Sequence, residues 1–215
     1  MGTGAIGGLR VSPASTVGLP FPFQPVGPMN VVTMVALATA TATALLLTNS
    51  PYAHRVPAAA CVAGESETRS RSAVDDSEIR FTESTKYDEA RTHASKVWQS
   101  SSGTLSKIKV RADSATTVND LEWRDCDRAD GRAAYYHYRG GVAETDYIYL
   151  NKRVLDSREH GTRDDRRATA AHELGHALGL CHKSGRVLSL MWTSVDPVIT
   201  APTDTDQANY RRLWG

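Results

Sequence analysis

Apolar and polar positions between residues 78 and 151 repeat at the periods of short strands and of one helix. Residues 87–99 (YDEARTHASKVWQ) carry Ala90, Ala94, Val97 and Trp98 on one side, which predicts an amphipathic helix. Alternation predicts strands at 79–81, 107–111, 121–124, 133–138 and 147–150, with a turn around Gly140 and Gly141 before the last. This order predicts an α+β domain with one sheet and one central helix behind it.

A second helix is predicted from residue 162 to residue 179. It begins with a T-x-x-D sequence. The Thr162 side-chain oxygen can accept hydrogen bonds from backbone N–H groups of the first turn, and the negative charge of Asp165 is favourable at the positive end of the helix dipole. Good helix formers follow as far as Leu178. Gly179 is then a natural terminator.

The first sixty residues differ from the rest, because Arg10 and Arg55 are their only charged side chains. Within them, 31–47 is a charge-free run of 17 residues, long enough for a signal-peptide core and short for a membrane span. Three alanines at 58–60 offer a small-x-small cleavage site. We expect secretion, with a retained membrane anchor or a lipoprotein acylated at Cys61 as alternatives. The predicted organisation is a disordered N-terminus plus signal peptide at 1–60, a flexible polar lead-in at 61–77 and a folded domain at 78–215.

Composition limits the function classes. The chain has 215 residues, of which 40% are hydrophobic and 23% charged, so it has room for one globular domain plus appendages. The formal net charge is +1, and basic residues are scattered among acidic ones. Nucleic acid is therefore not an expected partner, because phosphate binding needs clustered positive charge.

Cysteine usage fits export. If Cys61 is removed or lipidated, Cys126 and Cys181 remain and could pair in an oxidising compartment, pinning the loop that carries His182. Two unpaired buried thiols are the alternative. If Cys61 stays in the mature chain, three pairings are possible and the sequence does not choose among them.

The second predicted helix contains the segment AAHELGHALGLCH. His172 and His176 are four residues apart, so both imidazoles lie on one helix face and can reach the same ion. Glu173 can reach a water on that ion, and the turn at Gly179 lets His182 return as a third ligand. Three neutral imidazoles leave the fourth tetrahedral position for water, which is typical of a catalytic zinc.

The spacing of these residues separates this hypothesis from an alanine-rich core helix with three hydrogen-bonded histidines. H-E-x-x-H alone arises by chance in roughly one in a hundred chains of this composition, whereas H-E-x-x-H-x-x-G-x-x-H arises in about two in a hundred thousand. A core helix would also have to bury Glu173 beside the histidines without a charge partner. The longer motif therefore favours the metal site.

At these residues the sequence resembles the metzincin metalloproteases, and within them the matrixin catalytic domain. The segment SLMW supplies the expected Met-turn, with Met191 as a hydrophobic floor and not a ligand. The ending PTDTDQANYRRLWG resembles the C-terminal matrixin helix, with Asp206 near its start. Over 78–215 the resemblance implies a zincin-like metzincin fold: a mixed twisted sheet with an active-site helix, a Met-turn and a C-terminal helix.

The chain also departs from the matrixin pattern. It has no recognisable cysteine switch, and Thr193 stands where astacins and serralysins have a tyrosine. His137 lies where matrixins place a ligand of a structural zinc, but its companion ligands are not recognisable. Calcium loops rich in Asp and Gly are not evident. We expect one catalytic Zn²⁺, without a structural Ca²⁺ or a second zinc.

The resemblance implies a secreted zinc endopeptidase in which His172, His176 and His182 hold the metal and Glu173 is the general base. A protein or peptide substrate would lie extended along the strand at 133–138. Trp192 would help to shape the pocket after the scissile bond, unless it is buried core. We expect a monomer that contacts a membrane only if 31–47 is retained. A zinc hydrolase of non-peptide substrates and a catalytically silent binding module remain as alternatives.

Overall fold

The computed structural model describes residues 10–11, 56–99, 104–140 and 144–215. These residues belong to one unit that comprises Met1–Pro13 and Arg55–Gly215. The predicted signal-peptide core at 31–47 lies outside the described residues. Within the described ranges, no helix is long and apolar enough to cross a membrane.

The elements follow the order predicted from the hydrophobic pattern. In chain order the strands are β1 Arg10–Val11, β2 Glu78–Ser84, β3 Lys109–Ala112, β4 Leu121–Cys126, β5 Ala134–His137, β6 Asp146–Asn151 and β7 Ser194–Val195. The helices are α1 Asp88–Val97, α2 Lys152–Leu155, α3 Arg163–Ala177 and α4 Asp204–Trp214. Each predicted strand and helix has a counterpart, and the short elements β1, α2 and β7 were not predicted.

Five of the strands form one mixed sheet in the order β3-β2-β4-β6-β5. Neighbouring strands are parallel except β5, which pairs antiparallel with β6. In the described part of the chain, β5 has a strand partner on one side only, so it forms a sheet edge. Separately, β1 pairs in parallel with β7, with Arg10 opposite Ser194.

Alternating residues of the sheet face one hydrophobic core. On β2 and β4 the core positions are Ile79, Phe81, Leu121 and Trp123, and all four are buried. Small residues of α3 and α1, among them Ala90, Ala94, Ala170 and Ala171, pack into the same core. The Trp98 indole N–H also donates to the Ala171 carbonyl oxygen at 2.7 Å, which joins α1 to α3. Two helices rather than the one expected therefore contribute to the core beside the sheet.

The ends of α3 are as the sequence predicts. Thr162 caps the helix, since its hydroxyl oxygen accepts the Asp165 N–H at 3.1 Å. The Asp165 carboxylate in turn accepts the Thr162 N–H at 3.0 Å, which completes a capping box. At the other end Gly179 has φ +84°, a left-handed conformation that favours glycine.

The prediction of a flexible lead-in at 61–77 is wrong, because this segment is bonded to the end of α3. The Ala73 N–H donates to the Ala177 carbonyl at 2.8 Å, and the Thr68 N–H to the Gly179 carbonyl at 3.1 Å. Carbonyl groups at a helix C-terminus have no partner within the helix and must be satisfied from outside. The polar lead-in supplies these donors, so the folded unit begins before residue 78.

The predicted bridge between Cys126 and Cys181 is also wrong. Cys181 is bonded to Cys61, with a Cα–Cα distance of 5.6 Å, and Cys126 is a free thiol. Cys126 ends β4 and lies opposite Asn151 in the sheet. The lead-in runs beside the loop after α3, where the Val62 N–H donates to the His182 carbonyl at 3.0 Å, and this brings Cys61 to Cys181.

Candidate metal centre

Three imidazoles converge where α3 ends. The Nε2 atoms of His172 and His176 are 3.0 Å apart, and His182 Nε2 lies 3.3 Å from the first and 3.1 Å from the second. Nitrogens around a tetrahedral zinc at Zn–N distances of about 2.0–2.1 Å are separated by about 3.3 Å. These residues form a group able to hold a metal ion, and their separations fit zinc closely.

The other ring nitrogen of each histidine has an acceptor that fixes the tautomer. Nδ1 of His172 donates to the Leu190 carbonyl at 2.8 Å, and Nδ1 of His176 donates to the Leu180 carbonyl at 2.9 Å. Because carbonyl oxygens only accept, both Nε2 atoms keep their lone pairs for a metal. Burial, the first cause, lowers the pKa of His176 to about 3 and that of His172 well below its usual value, which favours neutral imidazoles.

Glu173 lies beside the histidines on α3 and is 2% exposed. Burial raises the pKa of its carboxyl to about 8, and a hydrogen bond from the Tyr136 backbone N–H acts in the opposite direction. Among the described residues, no Lys or Arg forms an ion pair with this carboxylate. Tyr136 belongs to β5, so the edge of the sheet faces Glu173 directly.

Met191 is fully buried and packs against α3 at Gly175. A Cβ atom at Gly175 would lie 2.4 Å from Met191 Sδ, so only glycine permits this approach. The Met191 carbonyl accepts the Lys183 N–H at 2.6 Å, which ties the turn to the residue after His182. The sequence-predicted methionine therefore lies next to the helix turn that carries His172 and His176.

Asp206 anchors the methionine-bearing turn from the first turn of α4. Its carboxylate accepts the Ser189 hydroxyl and, at 2.7 Å, the Leu190 N–H. Leu190 is the residue whose carbonyl accepts from His172 Nδ1. The sequence places Asp206 only near the start of a helix, and its link to a histidine comes from the structure.

One group at the site was missed by sequence reasoning. The carboxylate of Glu65 accepts His182 Nδ1 at 2.8 Å and the His182 backbone N–H at 2.8 Å. Glu65 falls in the segment predicted to be a flexible lead-in, 117 positions from His182. No local motif in the sequence marks it.

Two other candidate residues lie apart from the three histidines. His137 is half-buried on β5 and belongs to no metal-ligating group of the described residues. A second such group joins Glu67 to Cys61 and Cys181, but those two sulfurs are bonded to each other and are not thiolates. The half-buried Trp192 donates its indole N–H to the Val187 carbonyl, within the loop that leads into the turn.

Comparisons with known proteins leave the family open. No family model matches the chain, and no curated protein matches it. Among solved structures, it is similar to a chain of the GM1 bound form of the ECX AB5 holotoxin, with a TM-score of 0.44 and 15% identity over 63% of this chain and 79% of that chain. A TM-score this low does not establish a shared fold.

Proposed function

We propose that the protein is a secreted zinc-dependent endopeptidase with a matrixin-like metzincin catalytic domain. The observation that carries the proposal is the convergence of three histidine Nε2 atoms, 3.0–3.3 Å apart, beside the buried carboxylate of Glu173. The SLMW turn, whose methionine packs against α3 at Gly175, supports the same class.

His172, His176 and His182 would hold the zinc through Nε2. Bound zinc supplies Lewis-acid chemistry, which polarises a carbonyl and lowers the pKa of a nearby water. The positive charge of bound zinc would favour the ionised form of the Glu173 carboxyl, although burial raises its pKa to about 8. That carboxylate would then take the proton of the attacking water and deliver it to the nitrogen of the leaving amine. The Tyr136 N–H orients that carboxylate from the edge of the sheet.

The substrate we propose is an extended protein or peptide segment. The outer edge of β5 lies against Glu173, and in the described part of the chain no strand pairs with that edge. An extended peptide can add to such an edge through main-chain hydrogen bonds, so recognition depends on backbone more than on sequence. Pairing at β5 would bring a peptide carbonyl close to the three histidines.

Export is proposed from two features of the chain. The charge-free run at 31–47 has the length of a signal-peptide core. The Cys61–Cys181 bond is stable in an oxidising compartment and not in a reducing one.

The proposal is tested by hydrolysis of casein, an unstructured protein, with the full chain and its Glu173→Gln variant, with zinc content measured in both. We expect the parent to cut, a chelator to abolish cutting, and the variant to hold zinc while its activity falls about 10²–10⁴-fold, because the proton acceptor is gone. A parent that binds zinc but cleaves neither casein nor a peptide library would favour a non-peptide hydrolase or a binding module. A parent that binds no zinc would overturn the proposal.

A further inference from the structure

We propose that Glu65 is a positioning residue for the third metal ligand, His182. This inference rests on the proposed metal site. It assigns a role to a segment that the sequence places outside the catalytic domain.

His182 is not carried by a helix. α3 ends at Ala177, and the chain turns at Gly179 before reaching His182. His172 and His176 are oriented by the helix itself, since both project from the same face of α3. The position of His182 therefore depends on whatever holds the loop after the helix.

Glu65 holds this loop at two atoms of the same residue. One carboxylate oxygen accepts the backbone N–H of His182, and the other accepts Nδ1 of its ring, each at 2.8 Å. The His182 side chain is 4% exposed and that of Glu65 is 25% exposed, so the pair is largely screened from solvent. This two-point contact fixes both the backbone and the ring rotation of His182.

The contact differs in kind from those of the other two histidines. His172 and His176 donate Nδ1 to neutral backbone carbonyls, of Leu190 and Leu180. His182 donates to a carboxylate, which fixes its tautomer and also raises the electron density at Nε2. A carboxylate–histidine–metal arrangement of this kind typically contributes 10–100-fold to metal affinity.

The rest of the lead-in keeps Glu65 in place. The Cys61–Cys181 bond joins the segment to the residue before His182. On the other side, Lys183 donates its ammonium to Glu67 at 2.5 Å and to the Ala59 carbonyl at 3.1 Å. The segment is thus attached to the loop at Cys181 and at Lys183. Glu65 binds His182, which lies between these two residues.

The test measures zinc dissociation constants by competition with a chromophoric chelator, in the full chain and in Glu65→Gln. Glutamine preserves the shape, but its NH₂ group must face one of the two His182 N–H donors. We expect zinc to bind about 10–100-fold more weakly in the variant. We also expect an altered visible spectrum of the cobalt(II)-substituted protein, because the third imidazole is no longer held in one orientation. Glu65→Asp, which keeps the charge but shortens the side chain, should show a smaller loss.

Glu67→Gln is the matched control, because it loosens the same segment without touching a histidine. It should lower stability while leaving the zinc affinity and the cobalt spectrum close to those of the parent. Equal changes in the Glu65 and Glu67 variants would show a merely structural role and overturn the inference. A zinc affinity of Glu65→Gln equal to that of the parent would also overturn the inference. If Glu65→Gln does not fold, a zinc affinity of Glu65→Asp equal to that of the parent would overturn it. If the parent itself binds no zinc, the proposed zinc endopeptidase function is wrong. If the parent binds zinc and Glu65→Gln binds it equally well, only the positioning role of Glu65 is wrong.

Discussion

Near the candidate metal centre, buried charged side chains are compensated by ion pairs and hydrogen bonds. Lys183 is fully buried and lies 2.5 Å from Glu67, whose side chain is 4% exposed. Arg212 and Asn209 also donate to Glu67, and these bonds keep its pKa low although burial acts to raise it. Removing one partner of such a cluster leaves an uncompensated buried charge, which costs about 3–5 kcal/mol.

Asp206 is the clearest case, because it supports the turn that orients His172. In Asp206→Asn an amide NH₂ would face the donors of Ser189, Leu190 or Thr203. We expect the free energy of unfolding to fall by about 3 kcal/mol, as for lost hydrogen bonds to a buried charge, and zinc binding to weaken. Denaturant unfolding and zinc titration measure the two effects. The control is Asp204→Asn, an exposed neighbour in the same helical turn, and an equal effect there would contradict the anchor role.

Asp120 predicts a pH dependence of stability. Burial, with the nearby Asp75, Glu78 and Asp113, raises its pKa to about 6 from 3.8, although its carboxylate accepts the Arg80 N–H at 2.6 Å. The folded protein therefore holds this proton more tightly than the unfolded chain. The stabilisation that protonated Asp120 gives the folded state is therefore complete below about pH 4, and it is lost as the pH rises through 6.

Asp120→Asn should remove this component from the pH profile of unfolding. Screening by water at the half-buried site limits the change to about 1 kcal/mol. Urea unfolding between pH 4 and pH 7 measures it, with Glu159→Gln as a control whose side chain is 69% exposed. A slope in the Asp120 variant equal to that of the parent would contradict the raised pKa.

At the residue scale, the sequence was informative wherever the partners are local. His172, Glu173, His176 and His182 fall within eleven positions, so the geometry of one helix and the turn at Gly179 predict that they meet. Glu65 and Cys61 act on the same loop from more than a hundred positions away. Pairing at that separation depends on the path of the whole chain, which no periodicity encodes.

At the scale of elements, α3 is central because both of its faces are close-packed. Alanines of α3 belong to the hydrophobic core, the Ala171 carbonyl accepts the Trp98 indole N–H, and glycine at 175 lets Met191 approach the backbone. The C-terminal end is covered by the lead-in, whose N–H groups satisfy the last carbonyls. The small residues in the second half of α3 allow its neighbours to pack close to the histidines.

Gly175→Ala tests this close approach. Alanine is the better helix former by about 1 kcal/mol, so a solvent-exposed site would gain stability. Here the new Cβ would lie 2.4 Å from Met191 Sδ and 3.0 Å from a Trp98 ring carbon. We expect a net loss of about 1–3 kcal/mol, as for overpacked cores.

The measurement is denaturant unfolding, with Gly185→Ala as the control. A Cβ at Gly185 meets no atom within 4 Å, so that variant should be close to neutral. If Gly175→Ala proved as stable as the parent, the packing of Met191 against α3 would not be as tight as described.

Element types were predictable because strand alternation and helix capping are local properties. The capping box at Thr162 and the stop at Gly179 were both confirmed. The boundary at 78 was wrong for a physical reason. Polar composition at 61–77 suggested disorder, but those polar groups bond to one end of a buried helix and to its loop.

At the scale of the whole molecule, the folded unit extends at least as far back as Ala59, whose N–H donates to Asn209 at 2.7 Å, so the predicted end of the N-terminal region at residue 60 is wrong as well. Two fragments test this, one covering 56–215 and one covering 78–215. The shorter fragment loses Glu65, Glu67 and Cys61 together. We expect it to unfold at lower denaturant than the longer one, because Lys183 loses Glu67. We also expect it to bind zinc at least about 10-fold more weakly, because His182 loses Glu65. If the two fragments had equal stability and equal zinc affinity, the folded domain would begin at residue 78 as the sequence predicts.

The Cys61–Cys181 bond encloses a loop of 120 positions, which contains the whole sheet and α3. In the chain-entropy model, a loop of this length stabilises the fold by about 5 kcal/mol. Synthesis runs from the N-terminus, so Cys61 leaves the ribosome long before Cys181 does. The bond can therefore close only when nearly all of the domain has been made. In a reducing compartment, the loop that carries His182 would be held by noncovalent contacts alone.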